Sequence, residues 1–183
     1  MSSPIRRSQT ADGFRSDDHH LLIGSTVEST ARCVLSMTMT SSSRAPRLAV
    51  MLLVRTSGGR LLMHLRDDME GVLHPGCWAG FGGSVENDES PEEALVREVL
   101  EETGLQLRKA SFLAEVVDER AEGGRGDPVR IYVTDMAIGP EDIELTEGAG
   151  VGVFSIDELK FMRLSPFVRR VVVAHEETLR NPT

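Results

Sequence analysis

The sequence is short of cysteine, of long apolar runs and of positive charge, and each shortage excludes something. Its two cysteines, Cys33 and Cys77, lie far apart, and neither belongs to a CxxC pair. That argues against a zinc site or a dithiol redox motif and suits a reducing compartment. The longest apolar stretch, LAVMLLV from Leu48 to Val54, is far too short to span a bilayer as a helix. The N-terminus lacks the basic-then-apolar pattern of a secretory signal. Lys and Arg number 20 against 29 Asp and Glu, a net charge of −9. Such a surface does not attract nucleic-acid polymers or anionic membranes at long range. A small phosphorylated ligand could still be held at a local site by a metal. No internal repeat or coiled-coil pattern is present. The 183 residues, 40% hydrophobic and 27% charged, fit one ordinary globular core. The expectation is a cytoplasmic protein.

Two regions differ in texture. Residues 1–45 are rich in Ser, Thr, Arg and Asp and read as a largely flexible N-terminal extension. Within it, Arg32 to Thr40 alternates apolar and polar residues and fits an edge strand. Residues 46–183 read as the folded domain. RLAVMLLVRT and RLLMHLRD flank a Ser-Gly-Gly turn at 57–59 and predict a hairpin. DDMEGVLHPG is a loop, and CWAGFGGSV a short strand ending in glycines. Ser90, Pro91 and Glu93 form a helix start, and Gly104 a helix stop, which predicts a helix over 91–103. Strands follow at 111–119, 129–138 and in VGVFS. SIDEL opens a helix behind Ser155, and SPFVRRVVVAHEETL predicts one last helix starting at Ser165. Strands and helices mix without regular alternation, so the expected fold class is α/β with a mixed sheet rather than a doubly wound parallel one.

The predicted helix contains REVLEETGL. Glu98, Glu101 and Glu102 stand at i, i+3 and i+4, where like charges repel. At about 100° per residue, Leu95, Val96, Val99 and Leu100 form the expected core arc, with the three acids on the adjacent arc at its rim. A solvated acidic face explains that pattern. So does a divalent-metal site, because hard oxygen ligands at this spacing can converge on Mg²⁺ or Mn²⁺. The cation turns the mutual repulsion into shared attraction.

The wider spacing favours the metal. Gly83, Glu89, Arg97, Glu98, Val99, Glu101, Glu102, Gly104 and Leu105 fill every fixed position of G-x5-E-x7-R-E-U-x-E-E-x-G-U, where U is aliphatic. This stretch resembles the signature of the Nudix (MutT-like) hydrolases, and the resemblance extends over roughly residues 46–165. It implies an α/β/α sandwich with a mixed sheet. It also implies hydrolysis of a diphosphate linkage in a nucleoside diphosphate joined to another group X, by water attack on phosphorus. By the same resemblance Glu98, Glu101 and Glu102 bind Mg²⁺ (Mn²⁺ as a substitute), with a backbone carbonyl at Gly82 or Gly83 as a further ligand. Arg97 orients the acids, Glu89 bridges to Arg97 or shapes the loop, and Gly82 and Gly83 let the backbone approach the phosphates. The general base is Glu147, in LTEGAG, or Glu98. Arg66 is a candidate phosphate contact. The partner implied is a small nucleotide-type diphosphate, with no nucleic-acid polymer and no membrane, and a homodimer is compatible. The alternative is a non-catalytic Nudix-fold module that binds a nucleotide and reports it. Erosion of the glutamates would mark such a module, and here they are intact.

Phe81-Gly82-Gly83 departs from the Pro-Gly-Gly of many relatives, which changes the lining rather than the chemistry. PGCW faintly resembles the isopentenyl-diphosphate isomerase branch, but that branch needs a cysteine where this chain has its glycines, so Cys77 is not expected to be catalytic. Trp78 and Tyr132 are expected to pack rather than to stack on a base. His64 and His74 are expected to be structural or exposed, and Arg125 and Arg130 to serve a loop and a sheet edge.

Overall fold

The computed structural model describes residues 46–119 and 126–181. The edge strand expected at 32–40, Cys33 and Arg125 lie outside them. Six strands form one sheet: β1 (Ala49–Arg55), β2 (Leu61–Leu65), β3 (Trp78–Ala79), β4 (Ser111–Asp118), β5 (Asp127–Asp135) and β6 (Gly150–Phe154). Helix α1 (Pro91–Thr103) follows β3, and α2 (Ile156–Leu159), α3 (Pro166–Ala174) and α4 (Glu176–Arg180) follow β6. The sheet is mixed, as expected. β1 runs parallel to β5, which pairs antiparallel with β4. β2 pairs antiparallel with β1, β3 and β6.

Alternation along β1 builds the two layers. Val50, Leu52 and Val54 face α1 and pack with Ala94, Leu95 and Val99. Met51 and Leu53 face the other way, onto Leu159, Phe167, Val168, Val171 and Leu179 of α2, α3 and α4. The result is the α/β/α sandwich. Beyond β3 the chain crosses to β1: Leu52 N donates to Phe81 O at 2.7 Å and Val50 N to Gly83 O at 2.9 Å. Those bonds bring Gly82 and Gly83 beside the central strand.

Two expectations need correction. Val96 and Leu100, assigned to the core arc of α1, are 45% and 46% exposed. The buried residues of the helix are Ala94, Leu95, Val99, Glu102 and Thr103. The sheet meets α1 a fraction of a turn away from its apolar centre, so Glu102 sits inside the buried arc rather than at its rim. The last helix is also not continuous. It breaks at His175 (φ −117°, ψ 26°) into α3 and α4. The break lets the end of α4 meet β1, where the buried Arg55 guanidinium donates to the carbonyls of Thr178 and Asn181.

Candidate active site

The site begins with a well-capped helix. Ser90 Oγ accepts from Glu93 N at 3.2 Å, and the Glu93 carboxylate accepts from Ser90 N at 2.7 Å. Pro91 opens the first turn, and Gly104 closes the helix in the left-handed region at φ 70°. Between these ends Arg97 is a hub. Its Nε and Nη2 donate to the Glu89 carboxylate at 3.1 and 2.7 Å. Nη1 donates to Glu98 Oε1 at 2.9 Å and to Glu101 Oε2 at 3.1 Å, and Nη2 also reaches Ser84 O. The bridge from Glu89 to Arg97 and the Arg97–Glu101 pair thus exist as drawn from the sequence. Hydrogen bonding to Arg97, above all, holds the Glu89 carboxyl below its ordinary range.

Glu102 is set apart from that hub. It is 6% exposed, and its Oε2 accepts from Gly82 N at 2.7 Å. Burial pushes its pKa up to about 7; the Gly82 N–H and Arg66 oppose the shift, while Glu98 and Glu147 add to it. Burial likewise raises Glu98, against Arg97 and together with Glu101 and Glu147. The two glycines make the close approach feasible. Gly82 sits at φ 140°, and a Cβ there would lie 2.3 Å from Val50 O. A Cβ on Gly83 would lie 2.5 Å from the Glu98 carboxylate. Any other residue would push Glu98 off the backbone.

Among the described residues no three His, Cys, Asp or Glu side chains form a ready-made metal cage. The expected convergence of Glu98, Glu101 and Glu102 is therefore incomplete. Arg97 supplies the reason, since its Nη1 holds both Glu98 and Glu101. The donor set still suits a hard divalent cation: all the ligands are oxygens, and the buried Glu102 and half-buried Glu98 are both raised in pKa by burial and by neighbouring carboxylates.

Glu147 stands on a loop tied down at three points. Thr146 N donates to Glu102 O at 3.1 Å, Thr146 Oγ1 to Glu101 O at 2.6 Å, and Ala149 N to Leu65 O at 2.7 Å. Its own side chain is exposed, and its charge acts on both Glu98 and Glu102. Arg66 is half-buried; its Nε donates to Leu73 O at 2.6 Å, and its charge acts on Glu102.

Gly82, Gly83 and Arg66 also border a cleft of about 400 Å³ on the α3 side of the sheet. His74, Asp118, Ser165 and Phe167 also line it. His74 is held at φ 53°, an uncommon backbone for a residue with a Cβ, and its Nε2 lies 2.8 and 3.0 Å from the two Asp118 oxygens. Sequence reasoning assigned no site role to Asp118 or Ser165 and read His74 as structural or exposed. A lone histidine in a loop and a serine at a helix start carry no signal of a shared cleft.

The remaining candidates are structural. Trp78 packs edge-on to Phe154 at 4.7 Å, and Tyr132 is buried with its hydroxyl donating to Glu92 at 2.8 Å. Arg130 pairs with Glu115, and Cys77 is buried. His64 is buried against Phe81, and burial lowers its pKa to about 4.

The NUDIX domain family matches residues 45–174. The chain belongs to the Nudix family. It is 49% identical over 108 residues to the nucleoside triphosphatase NudI of Escherichia coli O17:K52:H18, covering 55% of this chain and 75% of that protein. With NudI of Escherichia coli O139:H28 the same identity holds over 61 residues, 33% of this chain and only 42% of that relative's length. Among solved structures, a MutT Nudix hydrolase from Burkholderia pseudomallei is 26% identical and superposes with a TM-score of 0.62, covering 71% of this chain and 98% of that one. Among the described residues no helix is long and apolar enough to cross a membrane.

Proposed function

We propose that this Nudix protein is a metal-dependent hydrolase that cleaves a diphosphate linkage in a nucleoside diphosphate joined to another group, by attack of water on phosphorus. One observation carries the reading. The Arg97 hub and the Gly82-held Glu102 set their carboxylates against two glycines that also border a ligand-sized cleft. Glu98, Glu101, Glu102 and the Gly82 carbonyl would hold Mg²⁺ or Mn²⁺, which when bound supplies charge neutralisation at phosphorus and an acidified water.

The chain's own residues do the rest. Arg97 keeps Glu98 and Glu101 oriented through one nitrogen, which reduces the reorganisation needed when a ligand arrives. The Gly82 N–H fixes the Glu102 carboxylate. Arg66, which lines the cleft and whose charge also acts on Glu102, attracts the diphosphate. Glu147 takes the water's proton, with Glu98 as the other candidate base. NudI relatives are named nucleoside triphosphatases, so nucleoside triphosphates, in which X is phosphate, are the first substrates to test.

The test is phosphate release with Mg²⁺, coupled through inorganic pyrophosphatase for nucleoside triphosphates and through alkaline phosphatase, which acts only on the freed monoester products, for nucleotide sugars and dinucleoside polyphosphates. Wild-type protein turns over at least one class. The double variant Glu101→Gln, Glu102→Gln loses about a hundredfold or more, the scale of removing key electrostatic groups. Silence of the wild type across the panel while it still binds Mn²⁺ and nucleotide would favour the binding-module reading. Glu147→Gln is expected to keep Mn²⁺ affinity and lose turnover; normal turnover removes Glu147 as the base.

A further inference from the structure

His64 packs like a core residue but keeps polar atoms that a core does not need. It is 2% exposed on β2, on the same face as Leu62 and so toward α1. It stands across from Val151 of β6, with its ring 5.2 Å from that of Phe81. Neither Nδ1 nor Nε2 has a hydrogen-bond partner among the described residues. Burial keeps the ring neutral, so one nitrogen carries a proton to donate and the other a lone pair to accept. A buried polar group left unpaired costs about 1–3 kcal/mol. A leucine would avoid that cost twice over, so the imidazole calls for an explanation. The ring lies beneath the loop that carries Glu147. A Cβ built on Gly148 would lie 3.9 Å from His64 Nδ1 and 2.7 Å from Leu65 O. The loop is pinned on either side of that point, by Thr146 to the end of α1 and by Ala149 N to Leu65 O. Glu147 and Gly148 are the two residues between the pins. Gly148 stands at φ 99°, a conformation that glycine adopts freely, so the peptide joining the two can turn over while both pins hold.

We propose that His64 is a positioning residue for the general base: the Glu147–Gly148 peptide turns so that Glu147 O accepts from His64 Nδ1–H, and this latch holds the Glu147 carboxylate toward Glu98 and Glu102. The turn depends on the ligand. Glu98, Glu102 and Glu147 repel one another, and the Glu147 side chain is exposed. A bound cation removes that repulsion, so the inward position of Glu147 becomes the favoured one. The hydrogen bond that His64 then makes repays part of its burial cost and fixes the base where the water's proton must be taken. The inference rests on the hydrolase reading with Glu147 as base, but one of its two tests needs no turnover.

The first test is nitrogen NMR of the full chain labelled at its five histidines, with and without Mg²⁺ and methylenediphosphonate, a diphosphate mimic that water does not cleave. The signal lost in His64→Leu identifies the residue. On titration the His64 Nδ1 signal moves to that of a hydrogen-bonded N–H, and its proton exchanges more slowly. A His64 signal that stays put while the amides of α1 respond overturns the latch and leaves the hydrolase reading standing. If no resonance of the protein responds, both fall. The second test is kinetic. His64→Leu melts no lower than wild type, because no protein hydrogen bond is lost, and keeps its Mn²⁺ affinity and KM. Its kcat falls about tenfold, the scale of one hydrogen bond. His64→Asn, whose amide N–H stands where Nδ1–H does, recovers most of that loss. An unchanged kcat in His64→Leu overturns the proposal. So does a fall in kcat that comes with a lower midpoint and is not recovered by His64→Asn, which would make His64 a packing residue only.

Discussion

At the scale of single residues, Glu102 carries the tension of the site. It is a carboxylate inside the buried arc of a helix, repelled by Glu98 and Glu147 and held by one backbone N–H. Its unfolded-state carboxyl ionises near 4.5 and its native one near about 7. Between those values the unfolded chain has already released a proton that the native protein keeps. Stability of the metal-free protein therefore falls as pH rises from about 4.5 through about 7, and the penalty persists above. It amounts to about 3 kcal/mol when fully developed. Glu102→Gln keeps an oxygen for Gly82 N–H and removes the charge, so its thermal midpoint should exceed that of wild type at pH 8 and match it near pH 4. Denaturation across that range with a chelator present checks the sign. A variant less stable than wild type at pH 8 would contradict the account.

At the scale of elements, α1 has two jobs that compete. Its apolar residues do not fill the buried arc, because Glu102 and Thr103 occupy part of it, while Val96 and Leu100 are left nearly half exposed. Burial alone therefore anchors this helix less well than an ordinary amphipathic one, and its ends compensate. The reciprocal Ser90–Glu93 bonds and the left-handed Gly104 fix both termini. Ser90→Ala should cost about 1 kcal/mol and lower the midpoint by roughly 3 °C in calorimetry. An unchanged midpoint would mean that packing, not capping, sets where α1 begins.

At the scale of the whole molecule, the sheet joins two halves with different tasks: one face carries α1 and its acids, the other α2, α3 and α4. Arg55 ties the C-terminal helices to β1, with 3% side-chain exposure, paired charges on Asp135 at 2.7 Å and two helix-end carbonyls. Arg55→Met should lose on the order of 2–3 kcal/mol, with hydrogen exchange accelerated first over Glu176–Arg180. Uniform acceleration across the sheet would show that Arg55 supports the whole core instead. Much of this was legible in the chain. Ser90, Pro91, Glu93 and Gly104 specify a helix and its ends, and the nine spaced residues from Gly83 to Leu105 specify a charge cluster on it that a ligand makes sensible, because helical spacing converts directly into neighbours in space. Alternation in RLAVMLLVRT specified a central strand with two buried faces. Three things were decided only by the tertiary structure. The sheet chose which arc of α1 to bury, and it chose Glu102 over Leu100 because docking direction depends on all the packed elements at once. The last helix broke at His175 where its end could meet Arg55. His74, Asp118 and Ser165, separated by scores of residues, share one cleft only because β4, α3 and the 66–77 loop converge on the same side of the sheet. Local spacing encodes what one helix or strand can present; which distant side chains meet is set by how those elements pack.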